Sequence, residues 1–207
     1  VIPNCIEPAI FNRLNGKKIK DRYSISQEKK ILIFVGRLAR EKNIELLIAC
    51  FKEIHKKYNG IKLMLVGDGP ERDRIKNIIN KENLSGNVIL TGEINNKDIK
   101  DYYGAADIFV STSKTEVHPV VLLEAMASAL PVVAVRASGY EDTVRHGIDG
   151  LLCDENVNEF SEAVLSLLNN SPKREAISRY ARERARDFSV KNITREIVNI
   201  YLSLLKN

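Results

Sequence analysis

The stretch "KKILIFVGRLAREKNIELLIACFKEIHKKY", Lys29–Tyr58, decides the fold. Its first eight residues form a short, continuous apolar run ending in Gly36, the pattern of a strand buried on both faces. Lys42–Tyr58 then carries Leu46, Leu47, Ala49, Cys50 and Ile54 at helical spacing. The same alternation recurs on the C-terminal side. "IKLMLVGDGP" (Ile61–Pro70) is a second strand and turn, and "ERDRIKNIINKENL" a helix that Pro70 can open, since its missing N–H would be unpaired there. "NVILTG" (Asn87–Gly92), "DIFVSTS" (Asp107–Ser113), "PVVAV" (Pro131–Val135) and "GLLC" (Gly150–Cys153) read as four further strands. Between them lie the helical stretches "NNKDIKDYYGAA", "PVVLLEAMASAL" and "GYEDTVRHG", and three helical segments, 157–168, 172–188 and 190–205, close the chain.

Strands that alternate with helices and are apolar throughout imply an α/β fold: a doubly wound, Rossmann-like parallel sheet of about six strands. At 207 residues with 44% hydrophobic content, one domain with a full core is expected. A net charge of +5 suits anionic ligands or an anionic membrane surface, and equally plain solubility. RNA-binding signatures and Trp are missing, so no nucleic-acid partner is expected. No apolar run approaches the roughly 18 residues of a membrane span. Cys5, Cys50 and Cys153 are scattered and form no CxxC or Cys/His cluster, so neither disulfides nor a metal site are expected, and reduced thiols point to the cytoplasm. The N-terminus "VIPNCIEPAIFNRLNG" lacks a basic start and a cleavage site, so it does not read as a signal peptide. With no initiator Met, the chain is expected to be cut from a longer one.

In doubly wound sheets ligands bind beyond the carboxyl ends of the strands. Gly36–Arg37, Gly67–Asp68–Gly69, Gly92–Glu93 and Ser111–Glu116 fall there. Arg37 and Lys42 flank a strand-to-helix turn, the arrangement of an anion site in which Arg grips phosphate bidentately and Lys adds a point charge. A solvated charge run is the alternative. "VGDGPERD" has Arg72 where a dinucleotide fingerprint needs its third Gly, so a structural turn is the better reading. His118 has only Glu116 nearby and reads as ligand-contacting or packed; His55 and His146 read as surface residues. Glu116 and Glu124 stand at the ends of an apolar run with seven residues between them. Carboxylates accept hydrogen bonds from sugar hydroxyls while the cations and a helix end take phosphates. Alternatively Glu124 is a buried acid satisfied by backbone N–H groups and Glu116 is a cap.

The pattern "VGRLAREK … LVGDGPER … VILTGEI … YYGAADIFVSTSKTEVHPVVLLEAMASALPVVAVRASGYEDTVRHGIDGLL" resembles the C-terminal domain of retaining glycosyltransferase family 4, of the GT-B fold. The resemblance implies a hexosyltransferase whose C-terminal half binds a nucleotide sugar, a UDP-sugar before a GDP-sugar, with no cofactor and no metal. It implies that Arg37 and Lys42 hold the diphosphate, that Glu124 takes the ribose, and that Glu116 meets the donor sugar. Gly36, His118, Pro119, Val120 and Val121 would approach sugar and phosphate, and Glu93 and Ile94 would wall the base pocket. Two departures stand out: Pro119 replaces a usual Gly and removes an N–H donor, and His118 stands where the family usually has an aromatic or polar residue; Ala129 also replaces a frequent Gly, read as a packing change.

Residues 1–14 resemble that family's interdomain linker, 15–188 form the expected nucleotide-sugar-binding domain, and 189–207 resemble a helix crossing back to an N-terminal acceptor domain. The fragment alone is expected to be inactive. The basic segment Lys173, Arg174, Arg179, Arg182, Arg184 and Arg186 reads as a solvated helix face, with peripheral contact at the membrane inner face as the alternative. Competing readings are another GT-B enzyme such as a nucleotide-sugar epimerase, or a non-catalytic phosphate-binding module. The paired glutamates favour the transferase, because a bare phosphate binder needs no hydroxyl acceptors.

Overall fold

A computed structural model describes residues 2–205. Six parallel strands form one sheet: β1 (Lys30–Val35), β2 (Ile61–Val66), β3 (Val88–Gly92), β4 (Ile108–Ser111), β5 (Val132–Val135) and β6 (Gly150–Cys153). Their order across the sheet is β3-β2-β1-β4-β5-β6, the doubly wound arrangement. β1 pairs with β2 on one side and β4 on the other, in registers such as Leu32 with Leu63 and Leu32 with Ile108. The chain reverses its direction of travel between β1 and β4.

Alternation along the strands builds two cores. Ile31, Ile33 and Val35 face one layer with Met64, Phe109 and Val132; Leu32 and Phe34 face the other with Leu63, Leu65 and Val110. α1 (Gly16–Arg22), α4 (Ile99–Ala105), α5 (Val120–Ala127) and the small α6 (Ser138–Glu141) contribute Ile19, Tyr103, Leu122 and Tyr140 to the first layer. α2 (Ile44–Lys57), α3 (Arg72–Lys81) and α7 (Val157–Leu168) cover the second with Leu47, Ile75 and Val164. Burial on both faces leaves the strand ends as the place for polar chemistry.

The basic segment departs only in part from the expected solvated face: within α8 (Ser171–Ala185) and just after it Lys173, Arg179, Arg182 and Arg186 are exposed, while Arg174 and Arg184 are half-buried. Arg174 donates to the Leu167 carbonyl at 2.8 Å, Arg184 to the Thr143 carbonyl at 3.2 Å, and Arg182 to Asn12 Oδ1 at 2.5 Å. These cations tie α8 to neighbouring elements. Ile6 joins the same region through N–H to the Phe188 carbonyl, 3.0 Å, and accepts from Val190 N–H at 2.9 Å. α9 (Val190–Leu204) buries Ile193 and leaves Val198, Tyr201, Leu202 and Leu204 exposed. No helix among the described residues is long and apolar enough to cross a membrane.

The structure differs from the sequence reading at three further places. α1 and a short 3-10 turn, Pro8–Asn12, were not expected. His55 is half-buried, not fully at the surface: its ring stacks on Phe51 at 5.9 Å, with Nδ1 buried and unpartnered. Ala129 is more than a packing change. It follows α5 at φ +60°, a left-handed conformation that suits Gly and strains an L side chain. Ala129→Gly is therefore expected to stabilise the chain by about 0.5–1 kcal/mol, the relieved strain outweighing the added unfolded-state freedom. Urea denaturation of the two chains checks this. A variant no more stable than the parent would show that the backbone angle is not what limits the position.

Candidate functional site

The loop leaving β1 is pinned before it reaches α2. Leu38 is buried, its N–H donates to the Asp68 carbonyl at 2.9 Å, and its carbonyl accepts from Glu71 N–H at 3.0 Å. This locks the β1 and β2 loops together and sends Arg37 outward. The close approach requires glycine at 67: at φ +130°, an added Cβ would stand 2.1 Å from the Gly36 carbonyl oxygen. The "VGDGP" turn is thus structural, as its sequence suggested.

Beyond these loops lies a cleft of about 470 Å³ whose lining includes Gly36, Arg37, Asp68, Glu93, Ile94, Val121 and Glu124. Its volume is that of an ordinary small-molecule site. β1, β3 and the first turns of α5 bring together six of the residues singled out in the sequence. Asp68, expected at a strand end but given no role, joins them, as does Asn96, which was not singled out.

Glu124 sits one turn inside α5, and the hydroxyl of Tyr103 on α4 stands 2.9 Å from its Oε2 and 3.2 Å from the Val121 carbonyl. A neutral donor, not a set of backbone N–H groups, satisfies this acid. Burial pushes the Glu124 carboxyl above its ordinary range, and the Tyr103 hydrogen bond pulls the other way. Tyr103 is fully buried beside that carboxylate, so its own hydroxyl is held well above the ordinary value of 10.0 and stays protonated.

Lys42 and Glu116 make a second cluster. Lys42 Nζ lies 2.5 Å from Glu116 Oε1, with side-chain exposures of 20% and 12%. Such shielding makes this pair stronger than a surface bridge. The sequence reading placed Lys42 with Arg37 on one anion; here Glu116 holds the ammonium, and Arg37 is the cation on the cleft. Nor is Glu116 a cap, since the N-cap of α5 is Pro119, with no side-chain bond. Val120 and Val121 open α5, where the first N–H groups of a helix lack intrahelical partners. His118 is half-buried and gives its carbonyl to Asn4 Nδ2 at 2.7 Å.

The Glu116 loop is held by α6. Gly139 N–H donates to the Glu116 carbonyl at 2.8 Å, and Ser138 Oγ donates to the same oxygen at 3.2 Å. A Cβ on Gly139 would lie 2.4 Å from the Val117 carbonyl oxygen. Tyr140 follows, its hydroxyl 2.6 Å from Ser111 Oγ and 3.5 Å from Glu116 Oε1. Sequence reasoning placed Ser111 at the strand end without a role and missed Tyr103, Gly139 and Tyr140; only the Gly inside a helical pattern was a usable signal. Among the described residues, no group of three His, Cys, Asp or Glu gathers as metal ligands do.

A cation, two carboxylates and a free helix start thus gather at the switch point of a doubly wound α/β domain, the place where such folds bind their ligands. Residues 15–184 match the family described as glycosyl transferases group 1, and the chain belongs to it. It is 32% identical over 207 aligned residues to an uncharacterized glycosyltransferase of Methanocaldococcus jannaschii, covering 97% of this chain and 53% of that one. It is 28% identical to N-acetyl-alpha-D-glucosaminyl L-malate synthase of Bacillus anthracis, covering 99% and 53%. The fold superposes on Anabaena HepE in complex with UDP with a TM-score of 0.90 at 24% identity, covering 98% of this chain and 57% of that one. Against sucrose-phosphate synthase from Thermosynechococcus elongatus the TM-score is 0.87 at 27% identity, with 99% and 52% covered. The chain spans about half the length of these relatives.

The raised Glu124 carboxyl has a signed consequence. The folded chain holds that proton more tightly than the unfolded chain, so the contribution of Glu124 to stability is fully present below the ordinary value of 4.5 and is lost as the pH rises through the raised one. Glu124→Gln does not titrate. The variant should match the parent in acid and exceed its stability at neutral pH, read from thermal unfolding across the range. A stability difference that does not change with pH would contradict this.

Proposed function

We propose that this chain is the donor-binding half of a retaining hexosyltransferase that takes a UDP-sugar. The observation that carries the reading is Glu124, a carboxylate held by a neutral phenol in the same cleft as Arg37. A carboxylate with open acceptor sites suits vicinal hydroxyls, and a guanidinium beside it suits a phosphate. A ribose next to a diphosphate has that order. Glu93 and Ile94 lie where a base would end the row. The ligands bound by two proteins of this fold, UDP in HepE and UDP in S. aureus TarM, support the same substrate class.

Glu116 then faces the donor sugar, and Lys42 exchanges that carboxylate for the diphosphate when the donor arrives. Charge develops on the leaving diphosphate during transfer. Arg37, Lys42 and the first N–H groups of α5 are fixed donors aimed at it, and need neither metal nor cofactor. The acceptor is held by a further domain of the longer protein, and three free cysteines suit a reducing, cytoplasmic setting.

Calorimetric titration with UDP tests the reading. Arg37→Ala should weaken binding by about 1.5–3 kcal/mol, the scale of a hydrogen bond to a charged group. Glu124→Gln should weaken UDP, while 2′,3′-dideoxy-UDP, which lacks the ribose hydroxyls, binds both chains alike. If dideoxy-UDP discriminates between them as UDP does, Glu124 does not read the ribose.

A further inference from the structure

Glu116 carries a contact that the proposed donor site does not use. Its Oε1 faces Lys42 Nζ at 2.5 Å and the Tyr140 hydroxyl at 3.5 Å. Tyr140 is 1% exposed and lies against Ser111 Oγ at 2.6 Å. Ser111, also 1% exposed, accepts from Ser113 N–H at 3.3 Å. A phenol has one proton, and burial, with Glu116 second, raises Tyr140 above its ordinary value of 10.0, so the proton stays. Ser111 Oγ also stands 3.3 Å from Ser113 Oγ, a longer contact than the 2.6 Å to Tyr140; when its proton takes the shorter one, the phenolic proton is free for Glu116. The three groups then form a chain of aligned donors, from the Ser113 amide through Ser111 and Tyr140 to the carboxylate, each bond polarising the next.

We propose that Tyr140 is a positioning residue for Glu116, holding its carboxylate against the donor sugar once Lys42 has turned to the diphosphate. The proposal rests on the donor reading above. The 2.5 Å ion pair is what orients Glu116 without donor, and a diphosphate competes for the same ammonium. With that cation drawn away, an otherwise shielded carboxylate needs another donor or it swings out of line. Tyr140 is the side chain already beside it, and α6 fixes it there: Gly139 and Ser138 hold the Glu116 carbonyl from one residue and two residues upstream of the phenol. Tyr140 so placed influences the sugar, which meets Glu116, and leaves the nucleotide, which meets Arg37 and Glu124, untouched.

The experiment compares dissociation constants for UDP-glucose and UDP in the parent, Tyr140→Phe, Glu116→Gln and the double variant, with the unfolding temperature of each. Tyr140→Phe should raise the ratio of the UDP-glucose constant to the UDP constant about 5- to 10-fold, the weight of one hydrogen bond, with UDP alone changed less than about 2-fold. In the Glu116→Gln background the same change should add little, since the two act through one carboxylate. Ser111→Ala, which keeps the phenol but removes its donor, should move the ratio the same way by a smaller factor, and stands in if the Phe variant fails to fold. Equal losses for UDP and UDP-glucose would overturn the proposal, as would full additivity with Glu116→Gln. If Glu116→Gln lowers sugar discrimination and neither Tyr140→Phe nor Ser111→Ala does, this inference fails and the donor reading stands. If Glu116→Gln leaves the ratio at the parent's value, or the parent binds no UDP-glucose, the donor reading falls and takes the inference with it.

Discussion

The reversal of strand order between β1 and β4 is the constraint on which the rest depends. From β1 the chain crosses over α2 toward β2; from β4 it crosses over α5 toward β5. Two neighbouring strands, about 4.8 Å apart, thus send their following loops in opposite directions. A crevice must open between those loops, whatever their sequence. Arg37 leaves one lip, and Glu116 and α5 leave the other. The buried faces of the sheet admit no polar groups without partners, so hydroxyls and charges collect at this edge. Ser111, Thr112 and Ser113, all buried, are the start of that polar zone: Thr112 Oγ1 already turns to the Asn43 carbonyl at 2.9 Å and stitches the two lips together.

Two carboxylates on this edge are kept by opposite means. Glu116 is paired with a cation, and Glu124 accepts a hydrogen bond from a neutral phenol. The difference decides what each can exchange. A second anion competes for Lys42 directly, so Glu116 can be released by charge alone. Tyr103 offers nothing to an anion, and Glu124 keeps its partner while its remaining lone pairs stay open to neutral donors. One carboxylate is therefore responsive to phosphate and the other indifferent to it, although both lie within three turns of chain around the start of α5.

The six strands were legible because burial on both faces forces continuous apolar runs, and α2 and α7 because their apolar residues recur at helical spacing. Gly36, Arg37, Glu93, Ile94, Val121 and Glu124 meet in the cleft for the same reason: each follows a strand end or opens a helix. α1 escaped notice because "GKKIKDR" holds one buried apolar residue, Ile19, and packs through Gly16 against Gly104, where a Cβ would stand 2.1 Å from the carbonyl oxygen. Backbone contact leaves no periodic signal. The partners of the glutamates were hidden for another reason. Tyr103 and Tyr140 lie 21 and 24 residues from Glu124 and Glu116, and a buried Tyr in a helix reads as core until the fold supplies the acid. The partner of Lys42 was hidden too, because its spacing from Arg37 describes a turn and says nothing of a carboxylate 74 residues on.

Unfavourable local features are not all of one kind, and their positions separate them. Ala129 at φ +60° follows α5 at the end away from the cleft, where its carbonyl meets Ser178. Nothing there touches the lining of the site, so its strain has no bearing on a ligand and Gly would serve as well. Glu124 is different. A buried carboxylate is unfavourable for folding, and an apolar residue in its place would fit a helix whose other inward positions are Leu122, Leu123 and Met126. The chain keeps the acid where α5 opens onto the cleft, with a phenol placed to hold it. A cost confined to the cleft and matched by a dedicated partner argues for use, whereas the same cost elsewhere argues only for tolerance.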